Sequence, residues 1–228
     1  MTEFRPGRFE VLPTIVKNLI IINTLVFIAQ VTVGSKIPLE PLFALHTWQS
    51  VFFKPWQFVT YMFMHGSFTH LFFNMFALWM FGSTLENIWG PKRFITFFIA
   101  CGLGAALCHM IVLFTENQSL GQLFMDGQLS PYEYYGRLNT PTVGASGAVY
   151  GCLVAFGYLF PNSFVYIFPI PFPVKVKWFV IGYIGLEIYS SIQSNPGDDI
   201  AHIAHLGGAL VGFLLVYFWN KTNRNRFY

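Results

Sequence analysis

Charge is scarce in this chain. Lys and Arg number 13 and Asp and Glu 10 among 228 residues, while 54% of the residues are hydrophobic. With a mean hydropathy of +0.53, that balance excludes an ordinary soluble fold and describes a membrane protein. The net charge of +3 is too small to point to nucleic acid. Cysteine is scarce as well: Cys101, Cys108 and Cys152 all lie inside apolar runs, where each reads as a small buried side chain and not as half of a disulfide. No His-Glu pair occurs, which removes the His-Glu-x-x-His helix of a membrane zinc protease. Asp126, Asp198 and Asp199 all fall outside the apolar runs, so two aspartates at membrane depth, the requirement of an aspartyl intramembrane protease, are missing too. Internal repeats, low-complexity tracts and a second domain are equally absent.

What is present is a series of apolar runs. Lys17 precedes the first, Leu19 to Val33, and no small-x-small cleavage site follows it, so the run reads as a retained transmembrane helix. From Gly34 to Phe68 prolines mix with aromatics and scattered polar groups, the composition of an amphipathic loop in the membrane interface. Further spans are expected at His70 to Trp89, Phe94 to Phe114, Ser146 to Pro161, Val174 to Ile192 and Ile200 to Trp219. A polar loop is expected from Thr115 to Val143, and a proline-punctuated connection from Pro161 to Pro173. The expected organisation is a short N-terminal tail over 1–16, one six-helix domain over 17–220 and a tail over 221–228.

Six spans put both termini on one side, and the basic residues choose it. Arg5, Arg8, Lys17, Lys92, Arg93, Lys175, Lys177, Lys221, Arg224 and Arg226 fall on the terminal side, leaving only Lys36, Lys54 and Arg137 opposite. By the positive-inside rule the termini are cytoplasmic, the arrangement of a multi-pass protein of a bacterial inner membrane.

Polar groups at membrane depth are costly, which makes them candidates for function. Counting back from the inner ends of three spans, Asn74, Ser146 and His205 lie at a shared level, about 8 Å below the outer edge of the hydrocarbon at ~1.5 Å per residue. Ser146 sits in Gly144-Ala145-Ser146-Gly147, with Gly151 one turn beyond Gly147, and His205 is followed by Gly208 and Gly212 at i+3 and i+7. Each polar residue therefore stands on a face whose glycines allow close backbone approach, and docking those faces would bring the hydroxyl to the imidazole. His202 lacks this spacing and lies nearer the surface, which favours His205 as the base and leaves His202 as a wet interfacial residue or a partner behind it. His70 and Asn74 share a helix face and His65 precedes it, so an amide and an imidazole N–H could serve as oxyanion donors beside the Ser146 backbone N–H.

These residues carry a resemblance. Gly144-Ala145-Ser146-Gly147, then His205-Leu206-Gly207-Gly208 with Gly212, and His65 with His70-Leu71 and Asn74 resemble the three signature motifs of the rhomboid intramembrane serine proteases, in the family's order. The resemblance implies an all-α membrane protein, a six-helix rhomboid-like bundle with an interfacial first loop. It implies a Ser146–His205 dyad with no acidic third member, His70 and Asn74 in the oxyanion hole, and Tyr150 packed beside the histidine. The implied activity is cleavage of membrane proteins within the bilayer at destabilised transmembrane helices, without cofactor, metal or nucleic acid. Trp56-Gln57 departs from the Trp-Arg pair of many relatives, and Glu86 matches a position of structural role.

The competing reading is a non-enzyme, either an inactive relative that binds membrane clients or a small transporter using His, Asn and Glu187 as a proton path. An inactive relative would lack Ser146 or His205, and both are present. A metal site built from His65, His70, His202 and His205 is the weaker idea, because those histidines show no acidic partner in the sequence.

Overall fold

The structure is a computed structural model that describes residues 9–34, 36–166, 171–193 and 199–222. Arg5, Arg8, Asp198, Arg224 and Arg226 lie outside the described residues.

Helix α1, Thr14–Val33, starts directly after Pro13, whose own side chain supplies no cap. The N–H groups that a helix start leaves unpaired are taken from a distance: both oxygens of Glu86 accept, from Ile15 N and Val16 N, each at 2.8 Å. Glu86 lies on the helical run of the second apolar segment, which comprises α4 (Phe68–Ala77), a π-helical turn (Leu78–Gly82) and α5 (Ser83–Trp89). A buried carboxylate at the positive end of α1 is stabilised by that helix's dipole, which gives Glu86 its structural role.

The first loop contains two short helices, α2 (Leu39–Phe43) and α3 (Gln57–Thr60), followed by a 3-10 turn at Tyr61–Phe63. Gln57 is fully buried within it. Its Nε2 donates to the Pro41 and Phe52 carbonyls at 3.0 and 2.9 Å, and its Oε1 accepts from His46 N and Lys54 N at 3.2 and 3.1 Å. An amide supplies donors and acceptor from one side chain, so Gln57 closes this loop where a guanidinium, which cannot accept, would have to bond differently.

Helix α6, Pro91–Met125, is 35 residues long and continues eleven residues past the end of the expected third span. The polar residues Thr115 to Gln122 therefore extend a helix and do not begin a loop. Asn117 is buried there and donates to Gln49 Oε1 at 2.9 Å and Thr47 Oγ1 at 3.3 Å, so contact with the first loop holds the extension. Next comes α7, Pro131–Leu138, opened by a reciprocal Ser130–Glu133 capping box. The hydrogen bonds from Ser130 hold the Glu133 carboxyl below the usual carboxylate range.

Helix α8, Ser146–Leu159, is buried along most of its length. The connection after it carries a small antiparallel pairing of β1 (Phe164–Val165) with β2 (Val174–Lys175), where the sequence predicts only a proline-punctuated link. Helices α9 (Val176–Gln193) and α10 (Asp199–Thr222) complete the described residues. The core lies where α6, α8 and α10 meet, with Phe97, Phe98, Cys101, Ala148, Cys152 and Val216 among its buried residues.

Glycine governs this centre. A Cβ at Gly208 would land on the Gly147 carbonyl, and one at Gly212 on the backbone of Gly151. Gly147 and Gly151 in turn face Ala105 and Cys101 of α6. The two glycine-bearing faces thus dock backbone to backbone, as small residues permit.

Among the described residues, three helices are long and apolar enough to cross a membrane: Thr14–Val33, Pro91–Met125 and His202–Lys221. The outward faces of α1, α4 and α9 carry Leu25, Phe73 and Leu186 at 59%, 63% and 62% exposure, an apolar exterior suited to lipid and not to water.

Two outcomes follow. Gly208→Val should cost about 3 kcal/mol or more, because the obstructing atoms are backbone and cannot rotate away; thermal unfolding in detergent measures it. Gln57→Ala should cost about 2–4 kcal/mol by leaving buried backbone donors and acceptors unpaired, read from the same melts.

Candidate active site

Ser146 is the first residue of α8, and the first backbone bond of that helix runs from Val149 N to Ala145 O. The N–H groups of Ser146, Gly147 and Ala148 therefore have no acceptor within the helix. The chain reaches Ser146 through Gly144, whose φ of +130° is a conformation that suits glycine. A Cβ there would meet the His70 ring at 2.8–2.9 Å and would lie 3.5 Å from Ser146 Oγ. Gly144 is thus needed twice, for its backbone and for the space that lets the His70 imidazole border the serine.

The first loop holds this turn in place. Gly144 N donates to the Tyr61 carbonyl at 2.9 Å, while the Tyr61 hydroxyl donates to the Gly102 carbonyl of α6 at 2.8 Å. One residue pair earlier, Leu45 and Thr142 exchange two backbone bonds at 2.9 and 2.8 Å, and the Thr142 hydroxyl bonds the His109 ring.

His205 Nε2 lies 2.8 Å from Ser146 Oγ. The imidazole is sandwiched flat against Tyr150, with ring centroids 4.3 Å apart and planes 8° from parallel. Tyr150 stacks in turn on Tyr183 of α9.

The other ring nitrogen of His205 also has a partner, and here the structure departs from the dyad expectation. Glu187 Oε2 lies 3.2 Å from His205 Nδ1 and 2.6 Å from His202 Nδ1, while Glu187 Oε1 accepts from the Tyr150 hydroxyl. An acidic group therefore does stand behind the histidine. A carboxylate buried in an apolar helix must gather donors, and among the described residues Tyr150, His202 and His205 lie within its reach. The sequence signal was Glu187 itself, an acid amid apolar residues, but which helix would face it was not legible.

On the opposite side, Ser67 caps α4 by accepting from His70 N at 3.1 Å. Asn74 is buried and donates one amide hydrogen to the His70 carbonyl at 3.1 Å. The His65 and His70 rings meet edge on, with centroids 5.0 Å apart. The His65 backbone is locked by Gln30 of α1, which donates to its carbonyl at 3.1 Å and accepts from its N–H at 3.0 Å. Both ring nitrogens of His65 are buried and have no hydrogen-bond partner among the described residues.

The four histidines weighed for a metal therefore separate into two pairs, His65 with His70 and His202 with His205. The second pair has the acidic partner that the sequence did not reveal: donor atoms of Glu187, His202 and His205 all lie within 4.8 Å of one another. Two histidines and a carboxylate are a donor set found at zinc sites.

This geometry can be set beside known proteins. A family model described as Rhomboid domain matches residues 53–221. The chain is similar to Rhomboid protease AarA of Providencia stuartii, 28% identical over 211 residues that cover 87% of this chain and 69% of the relative. It is similar to Rhomboid protein 1, mitochondrial, of Saccharomyces cerevisiae, 29% identical over 168 residues, 70% of this chain and 40% of the relative. Rhomboid protease GluP of Bacillus subtilis is 26% identical over 163 residues, 69% of this chain and 25% of the relative. The chain thus spans less than half the length of these last two proteins. A domain match over most of the chain, with relatives in bacteria and in a mitochondrion, agrees with the motifs around Ser146, His205 and His70, and the chain belongs to the rhomboid family.

Proposed function

We propose that this chain is an intramembrane serine endopeptidase in which Ser146 is the nucleophile and His205 the general base. The observation that carries the proposal is the 2.8 Å approach of Ser146 Oγ to His205 Nε2. In the reaction, Nε2 takes the hydroxyl proton as Oγ bonds the scissile carbonyl carbon. The imidazolium then returns that proton to the leaving amine, and water repeats the sequence on the acyl-enzyme to release the second product. Charge that develops on the carbonyl oxygen would meet the unpaired Ser146 N–H at the start of α8, the His70 ring and the remaining amide hydrogen of Asn74. His65, at the edge of the His70 ring, supports that ring's placement. Gly144 and Gly147 provide the clearance on either side of the serine, and Tyr150 holds the base.

The substrates are membrane proteins in the bilayer whose transmembrane helix is weak enough to unwind, because a helical amide is hydrogen-bonded and shielded. The short length of α8 supports a site below the outer surface: 14 residues at ~1.5 Å each span about 21 Å, less than a hydrocarbon core of about 30 Å. Six spans follow if the run over 68–89, α8 and α9 cross with the three long apolar helices, forming one protease domain over 17–220 between tails at 1–16 and 221–228. The charge distribution supports cytoplasmic termini, and the reading extends to a bacterial cell membrane. The chemistry uses protein groups alone, without a cofactor.

The test is a fluorophosphonate probe on the purified protein. Wild type should label, Ser146→Ala and His205→Ala should not, and His202→Ala should keep a measurable fraction; labelling that survives Ser146→Ala would overturn the proposal. Topology is checked separately in intact cells. Gln128→Cys should react with an impermeant thiol reagent from outside and Lys221→Cys only after lysis, and the reverse pattern would invert the orientation.

A further inference from the structure

The Ser146–His205 pair accounts for one ring nitrogen of the imidazole, Nε2. The other, Nδ1, is held by a group that the two-residue mechanism leaves unused. We propose that Glu187 is a positioning residue that completes a Ser146–His205–Glu187 relay, selecting the imidazole tautomer that can accept the serine proton and stabilising the imidazolium that forms. This rests on the protease reading above and adds a third residue to it.

The argument begins with hydrogen-bond capacity. An ionised carboxylate only accepts, so a bond between Glu187 Oε2 and His205 Nδ1 puts the proton on Nδ1. A neutral imidazole then presents a lone pair at Nε2, the nitrogen 2.8 Å from Ser146 Oγ. Without a carboxylate the two tautomers compete, and the one with Nε2–H offers the serine a donor where a base is required. Once Nε2 takes the proton, the ring carries a positive charge in an apolar setting, and a carboxylate 3.2 Å away offsets it.

The surroundings tie Glu187 to this task. Tyr150, which holds one face of the imidazole, donates to Glu187 Oε1, so ring stacking and carboxylate placement share one side chain. His202 donates to the same Oε2 as His205, at 2.6 Å. That donor holds the carboxylate on α9 against the first turns of α10, and it explains why two histidines three residues apart recur on one face: one is the base and the other anchors the acid. A metal shared by the three is disfavoured by distance, because zinc ligands around a tetrahedral ion lie about 3.3 Å apart, well beyond the 2.6 Å between Oε2 and His202 Nδ1.

The experiment compares wild type with Glu187→Gln and Glu187→Asp. It reads fluorophosphonate labelling rate, kcat and KM on a transmembrane substrate peptide, thermal unfolding, and the ¹⁵N spectrum of histidine-labelled protein, with His205→Ala identifying the His205 resonances. Glu187→Gln should lower kcat by about 10²- to 10⁴-fold, with KM changed less than about threefold and the melting temperature within a few degrees. Glu187→Asp should recover part of that loss. The wild-type spectrum should show His205 protonated at Nδ1 and bare at Nε2, a bias that Glu187→Gln removes. Wild-type kcat in folded Glu187→Gln would overturn the proposal, as would a wild-type His205 protonated at Nε2, a reading that stands even if the variants do not fold. Loss of wild-type activity to a chelator, restored by zinc, would also overturn it in favour of a metal. If wild type labels through Ser146 while Glu187→Gln labels at the same rate, only the third residue fails; if wild type never labels, the protease reading itself fails.

Discussion

The contact on which the rest depends is the meeting of Gly147 and Gly151 with Gly208 and Gly212. In a bilayer the apolar side chains gain little by leaving lipid for another helix, so association rests on close packing and on polar contacts. Backbone-to-backbone approach at these glycines provides the first. It also sets the second, because the residue before Gly147 is Ser146 and the residue three before Gly208 is His205. Packing and chemistry therefore use one surface, and a side chain added at Gly208 would disturb both.

Around that contact the chain is braced from the loop side. Gln57 uses donors and acceptor together to close the first loop on itself. Tyr61 then reaches from that loop to the Gly144 turn with its carbonyl and to α6 with its hydroxyl. Gln30 of α1 fixes the backbone beside His65. The Gln57 bonds are local and those of Tyr61 and Gln30 long-range, and all are made by neutral groups, which lets a loop with few charges hold a defined shape. At the other end, Glu86 caps α1 from a helix some seventy residues away, so the most N-terminal helix is anchored by the second apolar segment and not by its own sequence.

The polar residues beneath the surface form two networks with different demands. On one side of Ser146 lie His70, His65 and Asn74, where both His65 ring nitrogens have no hydrogen-bond partner among the described residues. On the other lie His205, Glu187, His202 and Tyr150, whose hydrogen bonds close on one another. Under the proposed mechanism the first arrangement offers donors to a developing oxyanion and the second holds the base.

Much of this was legible in the sequence because it follows from local periodicity. The glycine spacing after Ser146 and His205 needs only 3.6 residues per turn to define a face, and the scarcity of charge defines the solvent. His205 could be preferred to His202 on the same ground, since only one of them stands in register with Gly208 and Gly212. What the sequence could not determine is partner choice across distance. Helix α6 runs past its apolar segment because Asn117 finds Gln49 and Thr47, residues of a loop some seventy positions earlier. Glu187 stood out as an acid in an apolar run, yet its place behind His205 depends on how α9 is rotated against α10 and on the Tyr150 hydroxyl that meets it. Periodicity determines which residues share a face; only the tertiary structure decides which face meets which, because that choice is made by packing several helices at once.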